Sequence, residues 1–364
     1  MNILQIVNVR WWNASAYYAV LQGLGLKQLG HKVYIAGKKD SLPLKKAQEW
    51  GLEIVDDINL ESTKPTIAAK ILVKYPSLLR ELSIDVVNPH RGENYPLIAY
   101  SARKLGLPVV RTRGDARPPR HNLFSKWQNN KLTDFHILSL KKMIPYYQAI
   151  DVPVEKMKVL YGAVHPDFNT IQRSRKLNQK YITFGILARL APIKGHELIF
   201  KAMHMLKKDY PEIQLLIGGK EERLLYDDIR KLIKQYGLEK QVTCLGFVEN
   251  VMDFFNRIDV GISASYDSEV ICRICFEMMS QKIPMIVSRW NVLEEIIQDG
   301  TNGLIFDRMD HIDLAEKMRY LIEHPEMILT LGNNARKAIE ENYTLSIFSR
   351  QVEQIFENLV HGKN

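Results

Sequence analysis

Three cysteines in 364 residues, Cys244, Cys272 and Cys275, are too few for a disulfide framework. Cys272-x-x-Cys275 spells a redox or half-zinc pattern. Zinc needs two more ligands and only one further cysteine exists, so the pair reads as two small, half-buried residues one turn apart on a helix. Long apolar runs are also missing: none approaches the roughly 20 residues of a membrane helix. Met1-Asn2-Ile3-Leu4-Gln5-Ile6-Val7 enters a strand at once, with no basic leader or cleavage site, so a cytoplasmic location is expected. There is no Asp-x-Asp; Asp267-Ser268-Glu269 comes nearest, and no metal is expected. The glycines of Gly23-Leu-Gly25-Leu-Lys-Gln-Leu-Gly30 have the wrong spacing for a dinucleotide loop, and Gly218-Gly219-Lys220 lacks the P-loop spacing. No nucleic-acid motif occurs.

What is present is an alternation of short β-branched runs with helical patterns, long enough for two domains that each bury a core. Strands are predicted at 3–7, 32–36, 53–55, 85–88, 109–111, 136–139 and 158–160, with helices at 15–29, 65–82 and 93–105. The polar stretch within 169–180 interrupts the pattern and reads as a linker. The alternation then restarts, with strands at 182–186, 214–217, 242–245, 260–263, 285–287 and 304–306. Its helices are predicted at 197–208, 224–236, 309–322, 326–341 and 345–359. The fold class is therefore α/β: two Rossmann-like, doubly wound domains, 1–168 and 181–344, with a ligand cleft at their strand C-termini, followed by a terminal helix in 345–364.

Charge is unevenly spread. The net +9 divides into 24 Lys and Arg against 13 acids in residues 1–165, and 26 against 28 in the rest. Either the basic half is merely solvated, or it meets an acidic partner such as an anionic glycan, glycolipid or membrane surface. Arg111, Arg113, Arg117 and Arg120 crowd ten positions after a predicted strand, and arginine suits phosphate or carboxylate. An anionic acceptor is the sharper expectation for them; a solvated loop is the plainer one.

Two acids and two bases lie ahead of separate βα units in the second half. On one helix, Glu269 and Glu277 would stand about 12 Å apart, beyond the ~5–9.5 Å of a glycosidase pair. Glu269 instead fits a strand-end loop and Glu277 the following helix, where Phe276, Met278 and Met279 predict burial. Arg189 and Lys194 bracket a loop that feeds a helix N-terminus, a natural seat for a diphosphate. His90 follows a strand in the first half, placed to bond a sugar or to serve a structural role.

With Gly185-Ile-Leu-Ala-Arg189-Leu-Ala-Pro-Ile-Lys194-Gly195, Glu269-x7-Glu277 and Glu295-Ile-Ile-Gln-Asp-Gly300-Thr-Asn-Gly303-Leu304, the second half resembles the retaining GT-B glycosyltransferases of family 4, in the branch that builds lipopolysaccharide and cell-surface glycans. The resemblance implies transfer of a glycosyl group from a nucleotide sugar to an acceptor hydroxyl, with retention and without a metal. It implies Arg189 and Lys194 on the donor diphosphate, Phe247 and Val248 near the base, and Glu277 on the ribose. Glu269 and His90 would serve the transferred sugar, and the terminal helix would cross back to the first domain. Where the family has Gly-Phe-Gly after its first glutamate, this chain has Val270-Ile271-Cys272, and Arg273 is a candidate to restore the lost anion contact. Asn291-Val292 replaces a glycine pair, and Trp11-Trp12 stands in place of a glycine loop. Trp12 would stack on a sugar or acceptor, or simply pack. The partners implied are a nucleotide sugar and an anionic glycan or glycolipid, with peripheral contact at the cytoplasmic membrane face and no nucleic acid. A nucleotide-sugar epimerase of the same fold, or a binding protein without turnover, are the alternatives.

Overall fold

The strand NILQIV begins the chain with every residue from Ile3 to Val7 at 2% exposure or less, Gln5 included. A strand buried on both faces belongs in the middle of a parallel sheet covered by helices. The computed structural model describes residues 1–56, 65–90, 92, 94–174, 177, 181–267 and 270–362. In chain order the first part runs β1 (Asn2–Val7), α1 (Ala14–Gln28), β2 (Lys32–Gly37), α2 (Leu42–Glu49), β3 (Glu53–Val55), α3 (Pro65–Glu81) and β4 (Val86–Pro89). It continues with α4 (Tyr95–Lys104), β5 (Val110–Arg113), α5 (Leu123–Lys131), β6 (Phe135–Leu138), α6 (Ile144–Gln148) and β7 (Met157–Val159). The second part runs α7 (Asp167–Thr170), β8 (Thr183–Leu187), α8 (His196–Leu206), β9 (Gln214–Gly218), α9 (Tyr226–Gln235), β10 (Val242–Gly246), α10 (Val251–Phe255) and β11 (Val260–Ser263). Then come α11 (Arg273–Ser280), β12 (Met285–Ser288), α12 (Val292–Ile296), β13 (Gly303–Phe306), α13 (His311–Glu323), α14 (Pro325–Asn342) and α15 (Leu345–His361).

The chain forms two units, Met1–Ala163 with Thr344–Asn364, and Val164–Tyr343. In the first, β3-β2-β1-β4 and β5-β6-β7 are parallel, and a parallel bridge between Val87 and Val109 continues one into the other. Its core gathers Leu4, Ile6, Val87, Tyr75 and Tyr95. In the second, β10-β9-β8-β11-β12-β13 form one parallel sheet over a core that includes Phe184, Leu215, Phe200 and Phe306. Both are Rossmann-like, and both reverse strand order beside their first strand, at β1/β4 and at β8/β11.

The chain crosses between units twice, after Ala163 and after Tyr343. Residues 169–174 of the expected linker belong to the second unit. Arg173 donates to Ile258 O at 2.6 Å, and its amide donates to Gln281 Oε1 at 3.0 Å. The amide of Ser174 reaches Asn256 Oδ1 at 2.8 Å. Residues 175, 176 and 178–180 of that stretch lie outside the described residues. Helix α15 packs on α1 through Leu345, Phe348, Val352, Ile355 and Phe356. Gly25 makes that approach possible: a Cβ there would lie 1.7 Å from Ser349 Oγ. His31 and Glu353 join the same helices' neighbourhood at 2.7 Å.

Candidate functional site

In an open parallel sheet, ligands bind beyond the strand C-termini where the strand order reverses. In the second unit that point lies between β8 and β11, and a cavity of about 330 Å³ opens there. Its lining includes Arg189, Lys194, Phe247, Val248, Arg273 and Glu277. The structure thus brings six of the residues singled out in the sequence to one place.

Local geometry explains how each arrives. Past β8, the amides of Ala188 and Leu190 bond Gly218 O and Lys220 O, which holds the loop along β9 and leaves Arg189 outward. Pro192–Lys194 make one 3-10 turn, ended by Gly195 at φ +73°. A side chain at 195 would be strained in that conformation and would press its Cβ to 2.2 Å from Ala264 O. Glycine therefore lets α8 start directly over the end of β11, with Lys194 at its threshold. The turn that opens α11, Ile271 to Ile274, borders the same cavity and offers a helix N-terminus to an anion.

Sequence reading missed a fourth cation. Lys220, set aside for its unsuitable loop spacing, lines the cavity because β9 lies beside β8. The signal was available: a lysine directly after a strand that adjoins the switch-point strand. Four cations, Arg189, Lys194, Lys220 and Arg273, therefore face one space. Arg189 also pairs with Glu222, both groups being well exposed, so that pair exchanges easily with another anion.

Glu277 is the exception in sign. Its side chain is 1% exposed, Oε1 accepts from Arg273 Nε at 2.7 Å, and Oε2 has no hydrogen-bond partner among the described residues. Burial pushes its carboxyl up to about 7, although Arg273 pulls in the opposite direction. A buried oxygen without a donor is costly, and Glu277 borders the cavity. Phe247, 67% exposed, presents an open ring at the cavity. Glu269 and Ser268 lie outside the described residues.

The remaining candidates belong to the first unit. His90 follows β4 at the reversal point, is 4% exposed and lies 3.2 Å from Gln5 Oε1. Burial lowers its pKa to about 3, so the imidazole is neutral near pH 7. Trp12 is one edge of a T-shaped cluster with Tyr17 and Trp50, centroids about 6 Å apart; the open tryptophan is Trp11, at 71%. Arg111 and Arg113 correct the expectation of an outward basic loop. Arg111 is 5% exposed, lies over the Tyr95 ring at 4.0 Å and donates to Asn129 Oδ1 at 3.2 Å. Arg113 holds Asp115 at 2.7 Å. Both sit on β5, whose side chains alternate into the helix layers rather than toward its end. Arg117 and Arg120 remain exposed.

Residues 167–338 match the family described as glycosyl transferases group 1. The alpha-monoglucosyldiacylglycerol synthase of Acholeplasma laidlawii is 22% identical, over 96% of this chain and 97% of that protein. A glycosyltransferase from Rickettsia africae superposes with a TM-score of 0.88 at 18% identity, covering 99% of this chain and 98% of that one. The Anabaena protein HepE in complex with UDP gives 0.84 at 15%, covering 98% and 100%. These structural likenesses establish the fold. Residues 167–338, nearly the whole second unit, therefore resemble the group 1 glycosyl transferase domain; the named relatives give the enzyme class, a glycosyltransferase, and the structural neighbours share the GT-B fold.

Proposed function

We propose that this glycosyltransferase moves a sugar from a nucleoside diphosphate sugar to a hydroxyl of a cell-envelope glycan or glycolipid, with retention and without a metal ion. The observation that carries the reading is four cations and one donor-starved carboxylate around a single cavity. A diphosphate needs charge compensation as its bond to the sugar breaks, and Arg189, Lys194, Lys220 and the α11 N-terminus supply it where negative charge develops. Glu277 Oε2 would accept from ribose hydroxyls, Arg273 would hold the other oxygen, and Phe247 and Val248 would flank the base. In this proposal Glu269 grips the transferred sugar, and neutral His90 contributes a hydrogen bond to the transfer step. The UDP complex of the Anabaena neighbour and the glucolipid in the name of the Acholeplasma relative support the two ends of the reaction. Arg117 and the basic first half fit an anionic acceptor presented at the cytoplasmic face of a membrane.

Thermal-shift titration with UDP, GDP and ADP and their sugars, with and without EDTA, tests the donor side. A nucleoside diphosphate at 100 times its Kd should stabilise the chain by about 2.7 kcal/mol. Absence of any nucleotide effect would sink the reading; loss of transfer in EDTA would sink metal independence; an inverted product by NMR would sink retention.

A further inference from the structure

Helix α5 is built inside out. Its face toward the first unit is polar: Ser125 is 3% exposed and Asn129 1%. Asn129 is tied down there, Nδ2 donating to Ser125 O at 2.7 Å and Oδ1 accepting from buried Arg111. The carbonyl of Asn129 meets His136 Nε2 at 2.9 Å. With those partners fixed, the helix cannot roll to bury its other side. That other side carries Leu123, Phe124 and Trp127, exposed at 85%, 57% and 42%. The Phe124 and Trp127 rings lie 5.8 Å apart, so they form one patch rather than scattered hydrophobes, and such a patch calls for a partner.

Charge identifies the partner. Arg117, Arg120, Lys126 and Lys131 are exposed along the same segment. Residues 117–142 hold six Lys and Arg against one acid, Asp134, a net +5. Asp134 is itself engaged by Arg103 and the Val109 amide. Lys126 pairs with Asp151 in an exposed contact that competes weakly with another anion. Aromatic and leucine side chains ringed by cations fit the headgroup boundary of an anionic bilayer.

We propose that this face of α5 seats the first unit on an anionic lipid surface, with Leu123, Phe124 and Trp127 entering the headgroup layer and the surrounding cations meeting lipid phosphates. The assignment deepens the proposed use of a membrane-borne acceptor and rests on it. The test is co-sedimentation of the full chain with phosphatidylglycerol-containing vesicles and with pure phosphatidylcholine vesicles. The wild type should favour the anionic vesicles, and raising salt from about 0.05 to 0.5 M should release it. The triple variant L123S/F124S/W127S should lose about tenfold or more in partition, and R120Q/K131Q should lose the preference for anionic lipid. Thermal midpoint and nucleotide-induced stabilisation, measured on the same variants, report that the fold and second unit are intact. Equal partition on both vesicles, unchanged binding by the triple variant, or a wild-type dimer that the variant dissolves would overturn the proposal. Vesicle binding that persists without any nucleotide effect would uphold this surface while the donor reading fails.

Discussion

Glu277 illustrates what a single residue can cost a fold and return to a function. Its carboxyl is pushed from 4.5 to about 7 by burial, so between those values the unfolded chain is ionised while the folded one holds the proton. Its contribution to stability is whole below pH 4.5 and is lost as pH rises through 7. Glu277→Gln should therefore raise the apo-protein's stability at pH 8 by up to about 3 kcal/mol, and change little at pH 4.5. Donor binding should fall at least about tenfold in the same variant, because a charged acceptor to sugar hydroxyls is gone. Urea unfolding at the two pH values and nucleotide titration check both halves. Arg273→Ala should move the pH midpoint of nucleotide binding above 7, since the arginine is the group that lowers the Glu277 pKa. Titration of binding against pH reads that shift. At this scale the acidic and basic positions of the cavity were legible from residue type and spacing. Arg111 and Arg113 were not, because a position late in a strand tells which end a residue occupies and not which layer its side chain enters.

Elements were legible in proportion to the regularity of their apolar pattern. The long helices α1, α3, α4 and α13 to α15 and all the strands lie within a few residues of their predicted limits. Helices α2, α5, α6, α7, α10 and α12 were not foreseen. Five are short, and α5 carries its apolar residues on the wrong side for any reading that equates apolar with buried. The turn between β8 and α8 gives a sharp test of how an element positions a charge. Gly195→Ala forces both a left-handed alanine and a clash with Ala264 O. It should cost about 1–3 kcal/mol in stability and displace Lys194, weakening nucleotide binding more than surface Lys→Ala variants elsewhere. Thermal midpoint and nucleotide Kd, taken together, separate the two effects.

At the scale of the whole chain, two repetitions of one parallel-sheet plan were readable from the alternation alone, and the cavity of the second unit from its basic and acidic landmarks. The boundary was not, because a polar stretch looks like a linker whether or not its backbone is tied to a neighbour, as Arg173 and Ser174 are. The return of α15 is the strongest whole-molecule test. Ending the chain after Tyr343 strips Leu345, Phe348, Val352, Ile355 and Phe356 from the first unit. Each is worth about 1.5–3 kcal/mol when buried, so their sum rivals the ~5–15 kcal/mol of a whole domain. The first unit should then unfold, while residues 164–343 keep a cooperative urea transition and nucleotide binding. Circular dichroism and titration of the truncated chain check this.

That same helix sets an order on synthesis. Residues 1–163 leave the ribosome first but lack the surface that closes their unit; Val164–Tyr343 emerge later and already have all of theirs. At ~5–20 residues per second, α15 follows Ala163 by about 10–40 s. Throughout that interval the nascent chain displays the apolar side of α1 around Gly25, so the half made first is the half completed last.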